Sequence, residues 1–405
     1  GGGGRPNGRV RVGVMGLSRG LAHVEALKRV KNVEVAWVCD VDRERLGAGV
    51  ERASAGGSGK VRGTDDFRRM LEDASLDAVT IAAPNHWHAP AAMLACDAGK
   101  HVYVEKPGSH NVREADWLVE VAERTGRRVQ LGTQRRSWPA VREMVERLHG
   151  GVIGRVTYAR GWYSNARGSI GRGRMVSVPE GLNYALWQGP APSRVYLDNL
   201  VHYNWHWRWH WGGGELANNG VHALDLMCWG LKVGHPRRVT FHGGRYHFGD
   251  DQETPDTAVA TYDFGEVGAS WDTSSCVPRR EEDLPFVAFS GVGGGVVNGG
   301  GGYIVYDEQG KEVSRREDEG GDVSHFENFV GAIRGEIALH AWIGEGQKAA
   351  RLCHLGNIAY RSGMVLDVDQ EDGGVVGVGS AAAAALWGRE YERVWGKELE
   401  RVTAG

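Results

Sequence analysis

The chain is predicted to be an α/β protein that opens with a doubly wound parallel sheet and continues into a second unit built largely of strands. Three observations carry that prediction. Strand patterns alternate with helical patterns from Arg9 to Gly132, the order that builds a parallel sheet with crossover helices. A glycine turn, Gly13-Val14-Met15-Gly16-Leu17-Ser18-Arg19-Gly20, separates the first strand from the first helix. After Gln134 the alternation stops and short β patterns joined by Gly, Asp and Pro turns take over. This places a boundary near Arg135, dividing residues 1–135 from 136–405, and the length of the chain also favours two units over one core.

Taken in order, Arg9 to Val14 reads as a strand. Ser18 to Val30 reads as a helix, through Leu21, Val24, Leu27 and Val30. The turn between them is a degenerate form of the fingerprint in which N–H groups at a helix start receive a pyrophosphate. Gly16, Ser18, Arg19 and Gly20 are therefore candidate dinucleotide contacts, although a helix-packing turn explains the glycines as well. Val33 to Cys39 is a second strand ending in Asp40, at the spacing of an acid that accepts a ribose diol and repels a 2′-phosphate. That favours NAD over NADP. Arg43 and Arg45 could serve the phosphate instead, and Asp40 could simply cap a helix over Val41 to Val50.

The alternation continues with helix Asp65 to Asp73, strand Ala78 to Ala83, helix Ala89 to Gly99, strand His101 to Glu105, helix Val112 to Thr125 and strand Arg128 to Gly132. Pro84-Asn85-His86-Trp87-His88-Ala89 falls at the carboxyl edge of the sheet, which makes Pro84, Asn85 and His88 candidate dinucleotide contacts. His86 and His88 lack a third ligand nearby, so no metal is expected. His101-Val102-Tyr103-Val104-Glu105-Lys106-Pro107 ends an apolar run in a lysine. Pro107 cannot continue a ladder and restricts the residue before it, so Lys106 leaves the strand in a defined direction, at the edge where open α/β sheets bind ligands. A surface lysine before a loop is the plain alternative.

Cys39-Asp40, Ala83 to His88, Gly99-Lys100-His101-Val102-Tyr103-Val104-Glu105-Lys106-Pro107 and Gly132-Thr133-Gln134-Arg135-Arg136 follow the glycine turn in an order that resembles the Gfo/Idh/MocA oxidoreductases, the glucose-fructose oxidoreductase and inositol dehydrogenase family. The resemblance covers nearly the whole chain. It implies an N-terminal Rossmann domain and a C-terminal α+β domain with a large open, mostly antiparallel sheet. It also implies NAD as cofactor, with Glu105, Lys106, Gln134 and the Trp187 of a Trp187-Gln188-Gly189-Pro190 turn among its contacts. Assembly as a homo-oligomer, a dimer or tetramer joined through the C-terminal sheet, follows from the same likeness. Many members carry Asp-x-Gly-x-His-x-x-Asp, whose histidine is the general acid/base assisted by the first aspartate. The matching positions are Asn218, His222 and Asp225. Asn218 removes the carboxylate that would support an imidazolium, though an amide can still orient the histidine. A helix-start structural role is the alternative for His222, and Asp225, a candidate substrate contact, reads as more structural than catalytic.

In the second unit Ser137 to Leu148 reads as a helix and Arg155 to Tyr163 as the first strand. Trp205, Trp207, Trp209 and Trp211 recur at period two, which predicts one face of a strand with His206, Arg208 and His210 opposite. Indoles stack on sugar C–H faces, so His206 and Arg208 are candidate substrate contacts. An aromatic core is the reading preferred for at least two of the tryptophans. Strands are expected at Arg238 to Gly243, Thr257 to Asp263, Val267 to Asp272, Phe286 to Ser290 and Tyr303 to Tyr306, and helices at His325 to Ile333, Gly346 to Gly363 and Ala381 to Val394. The glycine runs Gly291 to Gly302 and Gly373 to Gly379 are expected as turns or a flexible loop. Cys353 to Arg361 resembles the closing helix of a bacterial sugar-oxidoreductase branch.

Composition narrows the partners. With 48 basic and 51 acidic residues interspersed, the chain shows no footprint for nucleic acid and no polybasic membrane patch, and no apolar run has the length of a membrane span. A small carbohydrate is the expected partner. Five scattered cysteines suggest neither a disulfide framework nor a thiolate metal site. The chain starts at Gly1 in a glycine-rich tail without a methionine, so a removed export segment is compatible with it and the compartment, cytoplasmic or periplasmic, stays open. The expected reaction is NAD-dependent hydride transfer at a secondary hydroxyl of a sugar. Two readings compete with it: redox-assisted glycoside cleavage, which would release product without net NADH, and a non-catalytic NAD or sugar sensor, motivated by Ser18 and Asn218, which would bind without turnover.

Overall fold

The computed structural model describes residues 8–57, 59–278 and 283–405; the glycine-rich start of the chain lies outside them. Strands β1 (Val10–Met15), β2 (Val33–Cys39), β3 (Arg62–Thr64), β4 (Ala78–Ile81), β5 (His101–Val104) and β6 (Val129–Leu131) form one sheet in the order β3-β2-β1-β4-β5-β6. All of its ladders are parallel. The order reverses between β1 and β4, so a crevice opens beyond their carboxyl ends. β1 buries Val12 and Val14 on helix Arg19–Lys28 through Val24 and Leu27. The same core takes Phe326 and Phe329 from helix Val323–Ile333. Trp395 and Leu399 of helix Arg393–Ala404 pack with Phe67 and Trp87. The first sheet is thus completed by residues more than two hundred positions downstream.

The second sheet contains β7 (Val156–Ser164), β8 (Arg238–Gly244), β9 (Thr257–Asp263), β10 (Gly268–Ser274), β11 (Val287–Gly291), β12 (Gly294–Gly299), β13 (Gly302–Asp307), β14 (Glu312–Arg316), β15 (Leu366–Val368) and β16 (Val375–Val376), in the order β14-β13-β12-β11-β7-β10-β9-β8-β15-β16. Its ladders are antiparallel except the parallel pair β7 and β10. In β9, Ala258, Ala260 and Tyr262 are buried while Val259 on the opposite face is exposed. Helices Val221–Leu231 and Ile343–Ser362 supply the matching apolar residues, among them Leu224, Leu352 and Leu355.

Five local expectations are not met in full. Asn204 to Trp211 is no strand: Asn204–Trp207 is a single 3₁₀ turn, and its indoles are buried by packing between loops. The glycine run Gly291 to Gly302 is not a flexible loop but the β11–β12–β13 meander, in which Gly294, at φ +145°, has the Tyr306 carbonyl where a Cβ would stand. Gly373 to Gly379 likewise contains β16. The helix expected over Ala381 to Val394 divides into Ser380–Leu386 and Arg393–Ala404, because Glu392 caps the second by accepting the Val394 N–H at 2.9 Å. Helix Asn85–Asp97 begins four residues earlier than its apolar pattern, which brings Asn85 and His88 into its first turn.

Arg136 and Asp225 form a buried ion pair, with Arg136 Nε at 3.0 and 2.8 Å from the two carboxylate oxygens. Removing the acid would leave a buried guanidinium unpaired. Asp225→Ala is expected to lower unfolding free energy by about 3–5 kcal/mol, read from urea denaturation, and to leave NAD affinity of the folded protein unchanged in calorimetry.

Candidate cofactor and active site

The residues that follow β1, β2, β4 and β5 converge on one cleft, with about 1240 Å³ of space partly open to solvent. Gly16 turns the chain away from β1 at φ +88°, and a Cβ there would stand 2.7 Å from the Ala82 carbonyl and the Ala83 nitrogen. Only glycine fits so close to a second backbone. Gly20 lets helix Arg19–Lys28 approach β1, where its Cβ would meet Val14 at 3.0 Å. Ser18 precedes this helix but makes no capping hydrogen bond, so the N–H groups of the first turn remain available to an anion. Helix Arg43–Ser54, away from the cleft floor, is capped in the ordinary way by Asp42.

Asp40 is therefore not the cap of that helix. Its carboxylate accepts the Leu17 N–H at 2.8 Å and the Asp42 N–H at 2.9 Å, fixing an acid at the end of β2 beside the glycine turn. Burial pushes its pKa up against those two bonds. Arg45 lines the same end of the cleft, whereas Arg43 uses its backbone N–H on Gly181. Pro84 and Asn85 line the opposite wall. His88 also lines it but is fully committed: Nε2 donates to the Ala83 carbonyl at 2.7 Å and Nδ1 accepts the Gly108 N–H at 3.3 Å. Burial holds this imidazole at about 4, so it is a neutral staple between β4 and the turn after β5.

Beyond β5, Glu105 is buried and accepts from His23 Nε2 at 2.9 Å and Arg19 Nε at 3.1 Å. Burial alone would raise its pKa; the His23 bond and the charges of Arg19 and Lys106 outweigh it and hold the carboxyl below the usual range. Arg19 spends its other arm on Asp322 at 2.7 Å, so its guanidinium closes the wall and is not free for phosphate. Lys106 projects across the cleft and donates to both the backbone carbonyl and, at 2.9 Å, the Oδ1 of Asn218. Burial lowers the lysine pKa, with Glu105 and Glu215 opposing.

Asn218 thus engages Lys106 rather than His222. His222 begins the helix one turn later and is not among the cleft-lining residues; burial, then Lys106 and Arg135, keep its pKa well below 6.5. His206 does line the cleft. Its ring stacks on Trp205 at 3.6 Å, its Nδ1 donates to the Tyr203 carbonyl at 2.6 Å, and burial holds it at about 3, which leaves Nε2 as an acceptor. Arg208 is turned to Asn199 and Asp251, at 2.8 and 3.2 Å, and like Asp225 it is absent from the cleft wall. Trp187 lines the wall, and its carbonyl receives His86 Nε2 at 2.7 Å. Gln134 starts the 3₁₀ turn after β6 and does not line the cleft.

Several site residues escaped the sequence. His23 sits on an apolar helix face, and Asp322 and Glu215 stand alone in their segments. Arg167, just past β7, pairs with Glu215 at 3.0 Å and with the Tyr203 hydroxyl at 2.8 Å, bringing Tyr163 and Tyr203 together on the substrate-side wall. The segment 181–205 forms a second cover over the adenosine end: Arg43 N–H reaches the Gly181 carbonyl at 2.9 Å, Asn183 N–H the Val41 carbonyl at 2.8 Å, and His202 Nε2 the Asp42 carboxylate at 2.9 Å. Among the described residues there is no cluster of His, Cys, Asp and Glu suited to a metal ion, and no helix long and apolar enough to cross a membrane.

A parallel sheet with a glycine turn under an uncapped helix, an acid after β2 and a buried lysine after β5 defines a dinucleotide-binding oxidoreductase. Residues 10–133 match the model of the oxidoreductase family, NAD-binding Rossmann fold, and residues 141–295 match the GFO/IDH/MocA C-terminal domain. The chain belongs to the GFO/IDH/MocA oxidoreductases. It is 31% identical over 157 residues to an uncharacterized oxidoreductase of Rhizobium meliloti, covering 38% of this chain and 46% of that protein. It is 32% identical over 160 residues to a glycosyl hydrolase family 109 protein of Saccharopolyspora erythraea, covering 38% and 35%. The matched region therefore spans less than half the length of these relatives. In fold it is similar to the WlbA dehydrogenase of Bordetella pertussis, solved with NADH and UDP-GlcNAcA (TM-score 0.68, 20% identity, 89% of this chain and 99% of that one). It is also similar to an NAD binding oxidoreductase of Klebsiella pneumoniae (TM-score 0.69, 20% identity, 90% and 100%).

The residues present fit NAD: the Gly16 cradle and the free N–H groups at Ser18 and Arg19 for the pyrophosphate, Asp40 for the ribose diol, and Asn85 and Trp187 on the far wall. Asp40→Ala is expected to weaken NAD binding roughly tenfold to a hundredfold, as for loss of hydrogen bonds to a charged group, with NADP affinity falling less; calorimetric titration of both nucleotides measures it.

Proposed function

We propose that the protein transfers a hydride between NAD and a secondary hydroxyl of a sugar or sugar derivative. The observation that carries this reading is Lys106, whose ammonium is held across the cofactor cleft by Asn218, next to the neutral His206 and close to the neutral His222. When bound, NAD supplies the hydride acceptor or donor. The protein's part is to orient the carbinol carbon, to take the hydroxyl proton and to stabilise negative charge on its oxygen. Lys106 suits the last task because its charge is desolvated and already directed by two Asn218 oxygens. His222 is assigned the proton transfer, Asn218 positions Lys106, and His206 offers a second acceptor on the same side of the cleft. Lys106→Ala is expected to reduce kcat by about 10²–10⁴ while NAD still binds; steady-state NADH formation across a sugar panel, with calorimetry for NAD, reads both. Full turnover in this variant would remove lysine from the mechanism.

Both imidazoles enter the reaction unprotonated, so kcat/KM is expected to keep its plateau down through pH 6.5 and to fall only in more acid solution. Asn218→Asp should move that acid limb to higher pH, because a carboxylate paired with Lys106 offsets the positive charge that, after burial, holds His222 neutral. A pH–rate profile whose acid limb is the same in both proteins would exclude His222 from proton transfer.

Redox-assisted glycoside cleavage is a second reading, supported by the cover that residues 181–205 make over the adenosine end of the cleft. A cofactor enclosed there is suited to being reduced and reoxidised without leaving. Cleavage of aryl glycosides with substoichiometric NADH would establish it, and net NADH in step with product would exclude it. Homo-oligomerisation through the exposed face of the second sheet belongs to the same proposal and is read by analytical ultracentrifugation.

A further inference from the structure

A second cavity, with about 1410 Å³ of space partly open to solvent, lies between the Trp209–Gly213 segment, helix Ile343–Ser362 and the Leu386–Glu390 turn, and it shares no lining residue with the cofactor cleft. Arg194, Arg361 and Arg389 line it together with Asn357 and Glu253. None of the three guanidinium groups has a carboxylate within ion-pair distance among the described residues, although the charge of Glu253 acts on Arg361 and that of Glu114 on Arg389. Arg389 donates only to the carbonyls of His210, at 2.8 Å, and Glu390, at 3.3 Å. Glu114, whose charge would act on Arg389, is pushed up to about 8 by burial. Glu253 already accepts the Trp209 N–H at 2.7 Å, and Glu390 is exposed at the rim. Arg194 and Arg361 are exposed, whereas Arg389 is half-buried and held by neutral carbonyls, and a guanidinium so placed favours an anion beside it.

The second observation is Asn357, which is 7% exposed. Its Nδ2 donates to the Gly213 carbonyl at 2.9 Å, but its buried Oδ1 has no partner. A buried acceptor left unpaired calls for a donor, and a hydroxyl group supplies one. The ring of Trp209, with Arg361 5.1 Å from its centroid, adds an apolar face.

We propose that this cavity is a second ligand site, separate from the catalytic cleft, that takes a small hydroxylated oxyanion, a sugar acid or sugar phosphate, with the arginines on the anion and Asn357 on a hydroxyl. The NAD-loaded protein is titrated calorimetrically with phosphogluconate, gluconate, inorganic phosphate and glucose. Phosphogluconate is expected to bind and glucose not to. Stronger binding of gluconate than of inorganic phosphate assigns the anion to a carboxylate, and the reverse assigns it to a phosphate. Arg361→Gln and Arg194→Gln, both at exposed side chains, are each expected to weaken phosphogluconate roughly tenfold, the scale of one charge-assisted hydrogen bond, while NAD affinity is unchanged. Asn357→Ala is expected to weaken gluconate and leave inorganic phosphate unaffected. The proposal is overturned if no anion binds at millimolar concentration, if binding survives the double arginine substitution, or if Lys106→Ala abolishes it, which would place the anion in the catalytic cleft.

Discussion

The site depends on the buried carboxylate of Glu105. A charge taken out of water at the end of β5 is stable only if it is met by donors and opposite charge, and two of the three groups that meet it come from the first helix, 82 and 86 residues upstream. His23 rises from the first helix and is itself oriented by Thr80 on β4, at 3.1 Å from its Nδ1. Arg19 comes from the start of that helix and continues to Asp322 in the C-terminal part. Lys106 follows directly in sequence. Even the far side of the carboxylate is shaped by this requirement, since a Cβ on Gly132 would stand 3.0 Å from Glu105 Oε2. One ionised group therefore fixes the glycine-turn helix, the lysine strand and a helix more than two hundred residues away in a single arrangement.

The cover over the other end of the cleft is built on packing rather than charge. Tyr184, Trp187, Tyr196, Leu200, Trp205 and Trp211 form their own small core, and each buried indole that donates does so to a nearby carbonyl, as Trp205 Nε1 does to His202 at 2.8 Å. This explains the tryptophan run without a sugar platform. The same packing sets His206 against Trp205 and aims its free nitrogen at the cleft, so a structural cluster delivers a polar group to the site.

Much of the fold was legible because its signals are local. The β/α alternation, the helix Val112–Thr125 capped by Asn111, and the lysine stopped by Pro107 are all written in short windows of sequence. So were Gly16, Asp40, Asn85 and Lys106 as cleft residues, whose places follow from being just beyond the ends of parallel strands. Period-two burial over Trp205 to Trp211 was misleading because alternation reports which side chains are covered, and a 3₁₀ turn held between loops can produce it without a ladder. In the glycine meander β11 and β13 were expected and only β12 was missed, because its course is set by close backbone approach at Gly294, which carries no hydrophobic signal. Pairings such as His23 with Glu105, Arg19 with Asp322 and Arg167 with Glu215 join separations of 48 to 303 residues, and nothing in a single chain of letters announces them.

The replacement of an acid by Asn218 acquires a physical meaning in this setting. An aspartate at that position would bring a third carboxylate near Lys106, beside Glu105 and Glu215, and would pull the lysine charge toward it. The amide instead offers one neutral oxygen, Oδ1, beside the backbone carbonyl of the same residue, and together they orient the ammonium without neutralising it. The positive field of Lys106 and Arg135 is then left to act on His222, keeping that imidazole neutral, and on any oxygen that develops negative charge between them. In the proposed reaction a site arranged this way would separate the two tasks that an acid-assisted histidine would share: one group would hold a proton-free nitrogen ready, while the other would hold an undiminished positive charge.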